Sequence, residues 1–112
     1  METDLREEIV RLHAQICNGL ADPSRILILY TLEEHPFSVS ELADTLGLSQ
    51  PTVSRHLKTL RDRGMVTAQR DGQSVYYHLA DQRLIQALDL LRAVLKDTLL
   101  SRADLVRPSR SA

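Results

Sequence analysis

The residues of this chain with most to offer a partner lie between positions 49 and 63: Ser49-Gln50-Pro51-Thr52-Val53-Ser54-Arg55-His56-Leu57-Lys58-Thr59-Leu60-Arg61-Asp62-Arg63. Val53, Leu57 and Leu60 follow i, i+4, i+7 spacing and make one apolar side of a short helix, which leaves Gln50, Ser54, Arg55, Lys58 and Arg61 projecting elsewhere. That second set has the chemistry a DNA major groove asks for. Gln and Arg can make paired hydrogen bonds to base edges, Ser reaches bases or phosphates, and Lys and Arg neutralise phosphate. A charged helix face is equally the mark of a solvated helix, so the surrounding elements must decide between the two readings.

A second pair able to do chemistry is His13 and Cys17, one turn apart and therefore on the same helix face. They could form half of a thiophilic metal site or a thiol switch completed by another subunit, or Cys17 could be a small buried hydrophobe in helix packing. Neither a third orienting group nor a Gly-rich phosphate loop accompanies them, so an enzyme is not expected. His56 can touch phosphate or pack half-buried, and His35 and His78 read as structural or solvated. Tyr76 and Tyr77 alternate across a strand, one packing inward and the other facing out.

These residues need elements to hold them. The spacing of Leu5, Ile9, Leu12 and Ile16 predicts a first helix from about residue 4 to 19. Asp22-Pro23 starts a second, with Asp22 as N-cap and Pro23 at the first helical position; its run Ile26-Leu27-Ile28-Leu29-Tyr30 predicts the most buried helix, ending near Leu32. Ser38-Val39-Ser40-Glu41 is a capping box for a short third helix closed by Gly47, flanked by Phe37 and Leu42 as a hydrophobic staple. Ser49 then caps the fourth, with Leu48 placed to staple Val53, and Gly64 stops it. Two short helices joined by Gly47-Leu48-Ser49 predict a helix-turn-helix whose second member enters the groove. Strand-like runs flank Asp71-Gly72, predicting a hairpin with Arg70, Gln73 and Ser74 near its tip, where a wing reaches DNA backbone or minor groove. Asp81 can cap a fifth helix with a stripe of Leu84, Leu88, Leu91, Leu95 and Thr98, beside Leu99 and Leu100. That stripe is too long for so small a body to cover, which predicts that the first and last helices form a twofold dimer seam.

Composition agrees with this plan. The 112 residues suit one domain, expected over 1–100, followed by a disordered basic tail over 101–112. Aromatic content of only 4% with no Trp favours a mainly α core of Leu, Ile and Val. No apolar run has the length of a membrane span, the acidic start is unlike a signal peptide, and one cysteine fits a reducing compartment; the expected location is the cytoplasm, with no membrane partner. Net charge is −1, but it is unevenly spread: residues 1–48 hold nine acids and three bases, whereas 49–74 hold five bases and two acids. The positive field falls on the proposed groove-reading helix and the segment after it.

Three segments in order resemble the ArsR/SmtB family of winged helix-turn-helix repressors: Gly19-Leu20-Ala21-Asp22-Pro23-Ser24-Arg25, Ser49 through Leu57, and Gly72-Gln73-Ser74-Val75-Tyr76-Tyr77. The resemblance spans roughly residues 5–100. It implies a homodimeric repressor that holds double-stranded DNA at an inverted-repeat operator and leaves when an inducer binds, often a metal ion. The reading helix and wing would then contact DNA through Ser49, Gln50, Thr52, Ser54, Arg55, His56, Lys58, Arg61, Arg70, Gln73 and Ser74, with Gln50, Ser54 and Arg55 on the bases. The family's metal sites are not matched. Its thiolate sensors carry two cysteines where this chain has Ala43 and Thr45, and its zinc sensors carry histidines where this chain has Arg83 and Val94, although Asp81 and Asp97 match the carboxylates. No cofactor or standard metal is therefore expected, and the inducer is unknown, with Cys17 and His13 as possible sensing residues. The alternative from another class is a winged helix used as a protein-interaction or dimerisation module without sequence-specific DNA reading.

Overall fold

Three of the helices begin where a side chain can satisfy the free backbone donors of a first turn. Asp22 Oδ1 accepts from Ser24 N–H at 2.7 Å and opens α2, Pro23–Glu34. Ser38 Oγ accepts from Glu41 N–H while Glu41 Oε1 accepts from Ser38 N–H, at 3.1 and 2.9 Å, and this capping box opens α3, Val39–Leu46. Ser49 Oγ accepts from Thr52 N–H at 3.3 Å and opens α4, Gln50–Asp62. The computed structural model describes the backbone of residues 3–111 and the side chains of residues 4–102.

The first helix departs from expectation in one respect. Its α-helical part, α1, is Thr3–Leu12, and His13–Cys17 continue it as a π-helical turn in which Asn18 N–H reaches back to the His13 carbonyl. A π turn widens the helix by about a residue, so Ile16 no longer continues the stripe set by Leu5, Ile9 and Leu12.

The core is made by α2, α3 and α4. Ile28, Leu29 and Leu32 of α2, Leu42 and Ala43 of α3, and Val53, Leu57 and Leu60 of α4 are buried, joined by Phe37, Met65 and Val66. Burial of each leucine contributes about 1.5–3 kcal/mol against exposure, so these few side chains dominate the stability of α4's seat. The apolar run of α2 is not buried all round: Leu27 is 54% exposed, and α4 buries four residues to α2's three. Neighbours α3, α4 and β2 leave one side of α2 uncovered.

The wing is an antiparallel hairpin of β1, Val66–Asp71, and β2, Ser74–Leu79, in the register Val66↔Leu79 through Asp71↔Ser74. The two loop residues are therefore Gly72 and Gln73, not the expected Asp71 and Gly72. Gly72 has φ 65°, and no non-glycine among the described residues has positive φ, Gln73 included. A positive φ at the first loop position alone is the type II′ arrangement, which asks for glycine there and matches the strand twist. Phe37 adds a one-residue bridge to the outer edge of β2: Phe37 N–H donates to Tyr77 O at 3.2 Å and Tyr77 N–H to Phe37 O at 2.8 Å.

The chain divides into two compact units, Met1–Gln82 and Arg83–Ala112. The second is the helix α5, Arg83–Ser111. On it Leu90, Leu91, Val94, Leu95, Leu99 and Leu100 are each more than half exposed. The basic tail expected from residue 101 lies, from residue 103 on, outside the described side chains. Five helices and a hairpin make the architecture a winged helix-turn-helix. No helix among the described residues is long and apolar enough to cross a membrane.

Candidate nucleic-acid interface

The turn between α3 and α4 is short and fully engaged: Gly47 ends α3, Leu48 N–H donates to Ala43 O at 3.0 Å, and Ser49 caps α4. This fixes α4 by its start, and Val53, Leu57 and Leu60 fix it by its buried side. What remains outward is Gln50, Ser54, Arg55, Lys58 and Arg61, all exposed. Arg55 meets no side-chain hydrogen-bond or ion-pair partner among the described residues, so its five donors are free for a ligand. Lys58 Nζ rests 3.0 Å from Asp62 Oδ2 one turn along, an exposed pair worth about 0.3–0.5 kcal/mol and easily exchanged for phosphate.

Not every expected contact residue is equally available. Ser49 Oγ donates to Thr52 Oγ1 at 2.8 Å besides capping, and Thr52 is half-buried, so both hydroxyls are partly used in starting the helix. Arg70, Gln73 and Ser74 are exposed on the wing. An open groove of about 450 Å³ runs beside them, lined by Pro36, Gln69, Arg70, Asp71, Tyr76 and His78.

His56 is the clear departure. It is 9% exposed and turned inward, its Nδ1 3.4 Å from Arg25 Nη1 and its Nε2 3.9 Å from Asp22 Oδ1. Arg25 can only donate, so the contact uses the lone pair of Nδ1. His56, placed among the DNA contacts although half-buried packing was equally open to it, is thus part of a junction between α2 and α4. Asp22 lies in the same junction: the Ser24 backbone N–H, with His56 and Arg25 nearby, holds its carboxyl below the usual carboxylate range.

Two arginines to which the sequence assigned no role complete this junction. Arg25 Nε donates to Gly19 O at 2.7 Å and its Nη2 to Asn18 O at 3.2 Å. Arg63, which caps the C-terminal end of α4, donates from Nη1 to Ala14 O and Gln15 O, while Gln15 Nε2 donates back to Arg63 O at 3.3 Å. The carbonyls they hold belong to the π turn and to the end of the first helix.

Cys17 and His13 are both exposed in the chain. The packing considered for Cys17 is not supplied by its own chain. Among the described residues no three His, Cys, Asp or Glu side chains stand close enough to hold a metal. At the family's metal positions Ala43 is a core residue without a donor, and Thr45, Arg83 and Val94 offer neither thiolate nor imidazole, so those sites do not fit a thiophilic ion or zinc.

Residues 22–68, which run from the Asp22 cap through the helix-turn-helix into β1, match the family described as bacterial regulatory protein, arsR family. The crystal structure of Rv0081 from M. tuberculosis superposes with a TM-score of 0.76 at 36% identity, over 85% of this chain and 96% of that one. This chain belongs to the ArsR family. The family is one of transcriptional regulators, not of enzymes. Among its relatives is the HTH-type transcriptional regulator NmtR of Mycobacterium tuberculosis, 41% identical over 76 residues, which are 68% of this chain and 63% of NmtR. This chain thus spans less than two thirds of the length of that curated relative. A solution structure described as the homodimeric winged helix-turn-helix DNA-binding domain of Mb0332 from Mycobacterium bovis is 26% identical, with a TM-score of 0.74 over 88% of this chain and 91% of that one.

Proposed function

We propose that this protein is a homodimeric, sequence-specific DNA-binding repressor that holds an inverted-repeat operator and is released by an inducer. The observation that carries the reading is the division of α4: Val53, His56, Leu57 and Leu60 are buried, and Gln50, Ser54, Arg55, Lys58 and Arg61 are exposed. In this reading Gln50, Ser54 and Arg55 meet base edges from the first half of the helix. Lys58, Arg61, Arg70, Gln73 and Ser74 hold phosphates or sugar, with Ser49 and Thr52 adding what their capping bonds leave free.

Dimerisation is supported by the apolar side chains left exposed on α1 (Leu5, Ile9, Val10, Leu12) and, separately, on α5 (Leu91, Val94, Leu95, Leu99), and by the homodimeric relative from M. bovis. A twofold dimer places two copies of α4 about 34 Å apart, one DNA turn, which is why a pseudo-palindrome is the expected operator. The inducer is of unknown identity. Cys17 and His13, exposed on the first helix, are where a thiol-reactive one would meet the chain. The protein acts where its DNA is, in the cytoplasm.

The test begins with selection of duplexes by the protein from random-sequence DNA, followed by fluorescence anisotropy on the enriched and a scrambled duplex. Enrichment of an inverted repeat, with binding at least about a thousandfold tighter than to the scramble, is the expected result. Equal salt-dependent binding to both would overturn it in favour of an acidic partner for the basic surface. Challenge of the complex with arsenite, zinc, peroxide or persulfide, alongside Cys17→Ser, then identifies the inducer class.

A further inference from the structure

Arg63 is the one basic residue of the 49–63 stretch whose guanidinium turns back into its own chain. Its arm crosses the first helix where Gly19 leaves the backbone bare: a Cβ at position 19 would stand 2.9 Å from Arg63 Cδ and 2.9 Å from Met65 Sδ, closer than such atoms come. Gly19 is buried and its φ is ordinary, so a side chain there would strain no backbone but would push the Arg63 and Met65 side chains aside. From that position Nη1 donates to Ala14 O and Gln15 O in the π turn, and Gln15 returns a bond to Arg63 O. Halfway along α4, His56 makes a second fastening through Arg25 to the carbonyls of Asn18 and Gly19. Together with the capped start and the buried side of α4, these two fastenings define its direction against the first helix.

We propose that Arg63 is a positioning residue for DNA reading: seated over Gly19, it sets the angle of α4 against the first helix and touches no base or phosphate. The proposal rests on the reading of α4 as the base-reading helix. With Arg63 released, α4 turns about the fastening at His56, about 9 Å from Gln50, so a tilt of about 5° displaces its first residues by about 0.8 Å. Base contacts tolerate about 0.5 Å, whereas a flexible lysine follows a phosphate. Loss of the fastening therefore lowers the preference for the operator and leaves phosphate contacts in place.

Two variants of the full chain separate this from the alternatives. Arg63→Met keeps an aliphatic arm over Gly19 and removes the donors; Gly19→Ala keeps charge and donors and displaces the arm, together with the Met65 side chain, whose part the thermal melt reads. Each is measured by anisotropy on the duplex enriched by the wild-type protein and on a scrambled one, across a salt series, with a thermal melt of the free protein. Both should lose about tenfold in the ratio of specific to non-specific affinity, with an unchanged salt slope. Where Arg63→Met does not fold, Gly19→Ala decides alone, since alanine is compatible with the helix there. A salt slope lowered by about one per protomer in Arg63→Met, at an unchanged ratio, would make Arg63 a phosphate contact and overturn the proposal. Unchanged ratios in the folded variants would overturn it as well. A wild-type protein without sequence preference would overturn the DNA reading itself, and this inference with it.

Discussion

Replacement of Arg55 by alanine is the sharpest test of the exposed face of α4. Among the described residues its guanidinium has no side-chain hydrogen-bond or ion-pair partner, so the free protein loses no interaction when it is removed. An exposed substitution of this kind changes stability by no more than about 0.5 kcal/mol. The bound state is different. A bidentate arginine on guanine discriminates by about 1–3 kcal/mol, and the proposed homodimer presents the contact twice, so operator binding should weaken by about 2–6 kcal/mol, roughly thirtyfold to twenty-thousandfold. Binding to scrambled DNA should fall by at most the contribution of two phosphate charges. Anisotropy on both duplexes at two salt concentrations, with a urea melt of the free protein, reads all three quantities. An Arg55→Ala protein that keeps its melt and weakens on both duplexes by the same factor would refute base reading by this residue.

Lys58→Ala should weaken operator and scramble alike and flatten the salt slope by about one per protomer, since its exposed pair with Asp62 breaks at little cost; a specificity change in the same titrations would contradict this. Leu57→Ala removes a fully buried side chain and should cost about 2–5 kcal/mol, seen as a lower urea midpoint at fixed protein concentration. Ser49→Ala removes the cap of α4 and should cost about 0.5–2 kcal/mol, with faster amide exchange confined to the first turn of the helix. Asp22 has a depressed carboxyl in the folded protein, so its contribution is present above the unfolded carboxylate pKa and fades as pH falls through the folded value. Asp22→Asn keeps an acceptor for Ser24 N–H, and its stability should decline less steeply on acidification than that of the wild type, as urea midpoints across the acid range will show.

Features set by neighbours along the chain are legible in the sequence itself. Ser38 with Glu41, Asp22 with Ser24, and Ser49 with Thr52 are caps whose partners lie within three residues, and each helix starts where its cap implies. Features set from afar are not. The period of Leu5, Ile9, Leu12 and Ile16 is that of an α-helix, and the π turn accepts its bonds from Arg63, 48 residues away from Gln15. The hairpin is visible but its turn falls one residue off, because strand pairing, not the Asp-Gly signal alone, selects the two loop positions. His56 carries a usable signal: Val53, His56, Leu57 and Leu60 stand at i, i+3, i+4 and i+7, so the histidine belongs to the buried stripe. Its charge-bearing neighbours drew it into the expected DNA-facing set.

The two hydrogen bonds that join Phe37 to Tyr77 reach from the connector between α2 and α3 to β2, the second strand of the wing. They make the wing and the helix-turn-helix a single piece before any DNA arrives. Most of the ordering entropy has then been spent during folding, so association should proceed without a slow rearrangement of the protein, and its rate should respond to ionic strength far more than to temperature. A binding event of that sort is limited by search along the duplex rather than by the reader's own shape.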